Sequence, residues 1–114
     1  MRVKVVIHVE FKRRFKRLAK KYKSLIKDYE ALITSLETNP LQGVALGNNL
    51  YKVRMAIASK GGGKSGGARV ITYAVITTAP DEYKVILLTV YDKSEMQSVS
   101  DAYLDSLVST VHDS

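Results

Sequence analysis

The chain contains no cysteine and only two histidines, His8 and His112, in 114 residues. The first absence excludes disulfides, thiolate metal sites and cysteine nucleophiles together. The second leaves little for a metal centre or a serine triad. The histidines stand at opposite ends, the acids do not cluster at ligand spacing, and no nucleophile motif is present. Paired carboxylates suited to sugar chemistry are also missing. No apolar run approaches the roughly 18 residues that span a bilayer. The opening MRVKVVIHVEFKRR has an apolar run too short for a signal peptide and no small-residue cleavage site. The expected compartment is therefore the cytoplasm, without a membrane partner.

Acids are scarce in one part of the chain. Residues 1–69 hold 16 of the 18 Lys and Arg but only Glu10, Asp28, Glu30 and Glu37, a net of +12. Residues 70–114 hold Lys84 and Lys93 against seven acids, a net of −5. A chain this polarised, at +7 overall, draws its basic part toward nucleic acid over long range. Its length points to a single domain, residues 1–114, with one modest core.

Residues 2–9, RVKVVIHV, are rich in Val and Ile and read as a strand that ends near His8. A histidine there reads first as structural, and His112 reads as tail. From Phe11 the period becomes helical. Phe11, Phe15, Leu18, Tyr22, Leu25, Tyr29, Leu32 and Leu36 recur at spacings of four and three, one apolar stripe. Ser24 is a good N-cap residue after the basic run KKYK, so two helices are expected, 11–22 and 25–38, folded as a hairpin. The first carries Lys12, Arg13, Arg14, Lys16, Arg17, Lys20 and Lys21 on its outer side, a cationic face without acid partners. Neighbours four apart there repel, and an anionic partner would relieve them.

Asn39-Pro40 closes the hairpin, and LQGVALGNN reads as a turn-rich connection. Strands are expected at 50–58, 68–77 and 83–91, joined by short loops as an antiparallel meander. From Ser94 the pattern is helical again, with Met96, Val99, Tyr103, Leu104, Leu107 and Val111 on one side. The order β-α-α-β-β-β-α predicts an α+β fold, a small antiparallel sheet packed with helices against a face.

The richest segment is 51–73, YKVRMAIASKGGGKSGGARVITY. It reads as strand, glycine-rich basic loop and strand, with Lys52, Arg54, Lys60, Lys64 and Arg69 and no acid. Tyr51, Val53, Met55 and Ile57 share one register, so Lys52 and Arg54 project together from the opposite face. Arg69 is expected on the exposed register of its strand. GGGKSGG is not a Walker loop: the pattern needs a glycine at position 58, which is Ala58, and a helix after the lysine rather than VITYAV. What remains is phosphodiester chemistry by Lys, Arg and Tyr. Arg and Lys stabilise a dianionic phosphorane without a metal. A lysine crowded by cations has its pKa lowered and can move a proton. Tyr91, beside Lys93, brings a phenol to the same region. Attack by a 2′-hydroxyl would require RNA. Simple phosphate binding by the loop stays equally open.

The set YKVR at 51–54, SKGGGKSGGARVITY at 59–73 and LLTVYDKSEM at 87–96 resembles the RelE/HigB-like toxins of bacterial type II toxin–antitoxin modules. It is most similar to the HigB-like branch, whose members carry a basic SKG-x-GK-x-GG-x-R segment between two strands. The resemblance covers most of the chain, with the central segment its most specific part. It implies a microbial RNase-like (RelE-like) fold and a ribosome-dependent mRNA interferase that cuts by 2′-hydroxyl attack without metal or cofactor. On this chain it implies that Arg54 and Arg69 hold the scissile phosphate. Lys64, Tyr91 and Lys93 would complete the catalytic set, and Lys52 and Lys60 would contact RNA. Lys12, Arg13, Lys16, Arg17 and Lys20 would meet ribosomal RNA, where phosphate contacts position without reading sequence. The KSEM segment supplies Lys93 but none of the neighbouring arginine or histidine that some members use as general acid. The resemblance further implies a cognate antitoxin, through which the pair would reach operator DNA. The alternatives are a ParE-like gyrase poison and a non-catalytic RNA-binding module.

Overall fold

A computed structural model describes residues 2–61, 63, 66–79 and 81–111; Lys64 and His112 lie outside them. The elements are β1 (Arg2–Ile7), α1 (Val9–Lys21), α2 (Leu25–Thr38), β2 (Val44–Gly47), β3 (Leu50–Met55), β4 (Ala68–Ile76), β5 (Glu82–Asp92) and α3 (Asp101–Ser109). The five strands form one sheet in the order β1-β5-β4-β3-β2. β3, β4 and β5 make the expected antiparallel meander, but β1 runs parallel to β5, so the sheet is mixed rather than antiparallel. The α1–α2 hairpin is what carries the chain over to allow that parallel return.

The connection 41–49 holds a strand that its turn-rich composition conceals. Asn48 and Asn49 both adopt positive φ (53° and 66°), the two-residue hairpin geometry that matches strand twist. They fold VALG back onto β3.

The long apolar stripe behaves as its spacing predicts. Phe11, Leu18, Leu25, Leu32 and Leu36 are buried, and Phe15, Tyr22 and Tyr29 pack beside them against Val53, Met55, Val70, Val85 and Leu87. Phe15 meets Tyr29 edge-on at 5.2 Å between ring centroids, joining the two helices. Ser24 does not cap α2 with its side chain. Its hydroxyl donates to Asp28 (2.7 Å) and accepts from the Ser59 N–H (2.8 Å), which moors the root of the glycine loop to the hairpin. His8 is the cap that sequence did not show. Its Nδ1 accepts from the Glu10 N–H (3.0 Å), which leaves Nε2–H to donate to Thr110 Oγ1 (2.7 Å).

α3 packs on the other face of the sheet, with Leu104 and Leu107 against Leu50, Ile71, Ile86 and Leu88. Helices therefore cover both faces, not one. α3 starts six residues later than the Ser94 signal predicts, at the N-cap Ser100, whose Oγ accepts from the Tyr103 N–H. Ser94 is held elsewhere: its N–H and hydroxyl both donate to Asp92, whose carbonyl accepts from the Glu95 and Met96 N–H groups. Those bonds close a turn where a helix would begin.

β5 carries a bulge. Thr72 pairs with Leu87 and Ile71 with Thr89, so Leu88 is an extra residue. Before it Val85 and Leu87 face the α1–α2 hairpin; after it Val90 and Asp92 do. The same shift puts Tyr91 on the α3 face with Ile86 and Leu88. No helix among the described residues is long and apolar enough to cross a membrane.

Candidate functional site

Alternation in β3 sends Val53 and Met55 into the hairpin core and turns Lys52 and Arg54 to the α3 face. Across the ladder Arg54 stands directly opposite Arg69, and Arg69 directly opposite Tyr91. Lys93, just past the end of β5, reaches over the same ground. The result is a cleft of about 540 Å³ lined by Lys52, Arg54, Arg69 and Lys93 together with Gln42 and Gln97, with no acid among the described lining residues. Gly43 forms one wall at φ +98°, where an added Cβ would run into the Lys52 carbonyl. Gly67 lies so close to the Met55 carbonyl that a Cβ has no room, which lets the loop enter β4 tightly.

Arg69 is not on an exposed register. It is 4% exposed, because β4 is a central strand and both of its faces are covered. Its Nη1 donates to the Ala68 carbonyl at 3.2 Å. Arg54, nearer the sheet edge, stays exposed. Tyr91 is brought next to Arg69 but not into the cleft wall. Its ring lies in the α3 core, and burial raises the phenol's pKa against the opposing pull of the Arg69 charge.

Lys60 goes to the other face. Its Nζ donates to Asp92 Oδ1 (2.7 Å) and to the Ser94 hydroxyl (3.0 Å), over the Tyr22 ring. Asp92, whose side chain has no solvent exposure, also accepts from the Tyr22 hydroxyl at 2.5 Å. Burial pushes this carboxyl upward, but the hydrogen bonds from Lys60, Tyr22 and Ser94 outweigh it and hold it well below the usual carboxylate range. The node ties the end of α1, the glycine loop and the end of β5 together directly behind Lys93. Composition did not point to Asp92, yet D-K-S is an Asx-turn signature, and the carboxylate does accept from the N–H two residues on.

The cationic face of α1 divides into two sets. Glu10 binds both Arg13 and Arg14, and the Tyr103 hydroxyl donates to it. Burial raises its pKa, but the bonds from Tyr103, Arg14 and Arg13 prevail and lower it to about 2. Arg17 and Lys21 lie within 4.0 Å of Glu95. The expectation of a helix face without acid partners therefore holds only for Lys12, Lys16 and Lys20, which are exposed and in no ion pair among the described residues.

Chemically, the cleft can seat a phosphodiester through charge-assisted hydrogen bonds and favour added negative charge on it. Among the described residues neither a carboxylate nor a histidine lines it, so of those side chains lysine is the one that can move a proton there. No family model matches this chain, and no curated protein is significantly similar to it.

Proposed function

We propose that this chain is a ribosome-dependent mRNA endonuclease, a toxin of the RelE/HigB kind with a RelE-like fold, acting in the bacterial cytoplasm and restrained by a cognate antitoxin. The observation that carries the reading is the convergence of Lys52, Arg54, Arg69 and Lys93, from three separate segments, on one cleft with no acid among its described lining residues. Arg54 and Arg69, facing each other across the ladder, would grip the non-bridging oxygens of the scissile phosphate and stabilise the phosphorane formed by 2′-hydroxyl attack. Lys52 and Lys93 would flank it and serve proton transfer. Lys12, Lys16 and Lys20 would meet the phosphates of ribosomal RNA. The deciding experiment induces the chain in a bacterial cell and maps mRNA 5′ ends. Cuts phased to codons are expected; growth arrest with intact mRNA overturns the proposal.

A second reading is favoured by the same cleft. With no histidine or carboxylate among the described lining residues, and Tyr91 held in the core, the site suits phosphate binding without cleavage. Incubating the purified protein with translating ribosomes in a chelator separates the two. Loss of full-length message supports the endonuclease, and bound but intact message supports the binding module.

A further inference from the structure

The two edges of the sheet are protected differently. β1 carries exposed Arg2 and Lys4, charges that discourage another strand from adding to it. β2 reads VALG, with no charge and no proline, and is exposed along its whole length. Val44 is 58% and Leu46 42% exposed, and Leu41 lies exposed just before them.

Charge is ordered along that apolar edge. Val44, at one end, borders the cationic cleft with Lys52 and Arg54. Leu46, at the other end, borders a smaller hollow lined by Leu50, Leu104, Asp101 and Asp105. Both hollows open on the α3 face. An edge that is cationic at one end and anionic at the other is complementary to itself when a second copy is turned end for end. Antiparallel pairing of identical strands does just that, about a two-fold axis normal to the sheet, and keeps both α3 faces on the same side. Adjacent strands lie about 4.8 Å apart, so the β3 of one copy stands about 10 Å from the β2 of the other, within reach of long side chains.

We infer that β2 is a self-association edge: two copies pair β2 with β2, and Asp101 and Asp105 of each chain face the cationic cleft of the other. Four residues of pairing make a small interface, so the dimer is weak and reversible. The second copy's carboxylates occupy the ground that a phosphate would take, so dimer and RNA exclude one another. That last clause rests on the proposed function, whereas the dimer itself does not.

Sedimentation equilibrium of the full chain, run up to about 1 mM at low and high salt, is the test. The expected result is a mass rising toward twice the monomer's with concentration and falling back in high salt. Leu46→Lys is expected to stay monomeric and Asp101→Asn/Asp105→Asn to associate several-fold more weakly, each with an unchanged melting curve. Hydrogen exchange supplies a second measure, since the amides of 44–47 should slow as concentration rises. A monomer mass throughout, or a dimer that Leu46→Lys leaves intact, overturns the inference. Titration with oligouridylate tests the coupling. RNA that dissociates the dimer supports mutual exclusion, and RNA that binds the dimer unchanged overturns that clause while leaving the dimer in place.

Discussion

Lys60 and Arg54 come from the same basic segment, six residues apart, and end on opposite faces of the sheet with opposite fates. Lys60 is neutralised by Asp92 within a buried node that also holds Tyr22 and Ser94. Arg54 stays exposed in a cleft with no acid among its described lining residues. The difference separates cations that hold the protein together from cations available to a ligand, a distinction that counting charges cannot make. α1 repeats it on a smaller scale: Arg13 and Arg14 belong to Glu10, while Lys12, Lys16 and Lys20 face solvent.

The sharpest way to break that comparison is to exchange the consequences of losing each residue. Arg54→Ala should lower RNA cleavage on the order of 100-fold while the melting temperature stays put. A variant that keeps full toxicity in cells removes Arg54 from the site. Asp92→Asn should do the reverse. Removing the charge from a buried, ion-paired carboxylate is expected to cost about 3 kcal/mol, which thermal unfolding would register as a drop of roughly 10–20 °C. Lys60→Met should resemble Asp92→Asn and not Arg54→Ala.

The Asp92 effect also has a pH signature. Its carboxyl titrates lower in the folded protein than in the unfolded chain, so its stabilisation is complete above the unfolded value, near pH 4, and is lost as pH falls toward the folded value. Denaturant melts should therefore show the gap between wild type and Asp92→Asn constant from pH 7 down to about pH 5 and narrowing below about pH 4. A gap that widens in acid contradicts the node. The smallest effect is expected at the rim of the molecule. Neutralising Lys12, Lys16 and Lys20 together should leave stability unchanged and weaken co-sedimentation with ribosomes, with the slope of affinity against salt reduced by roughly two to three. An unchanged slope removes α1 from RNA contact.

Much of the fold was legible because its signals are local. The stripe from Phe11 to Leu36 repeats every three to four residues, and Lys52 and Arg54 alternate with Val53 and Met55, so burial follows from period alone. β2 escaped because Gly43, Gly47, Asn48 and Asn49 look like loop, although the asparagines are the hairpin turn that makes the strand. The start of α3 was misplaced because Ser94 has cap chemistry but spends it on Asp92. Arg69 was expected to be exposed because alternation separates the two faces of a strand without saying whether either is open to water.

By itself the sequence determined the order of every element but β2, the apolar faces, the concentration of cations before residue 70 and the two basic positions that leave β3 side by side. These follow from short-range periodicity and composition. Only the tertiary structure decided which cations meet an acid. It decided too which cations are buried, since helices on both faces of the sheet cover Arg69 on the central strand β4. The pairing depends on one bulge at Leu88, which turns Tyr91 toward α3 and Asp92 toward Lys60. A single extra residue reverses the facing of everything after it in a strand, and residues far apart in the chain become partners or strangers accordingly.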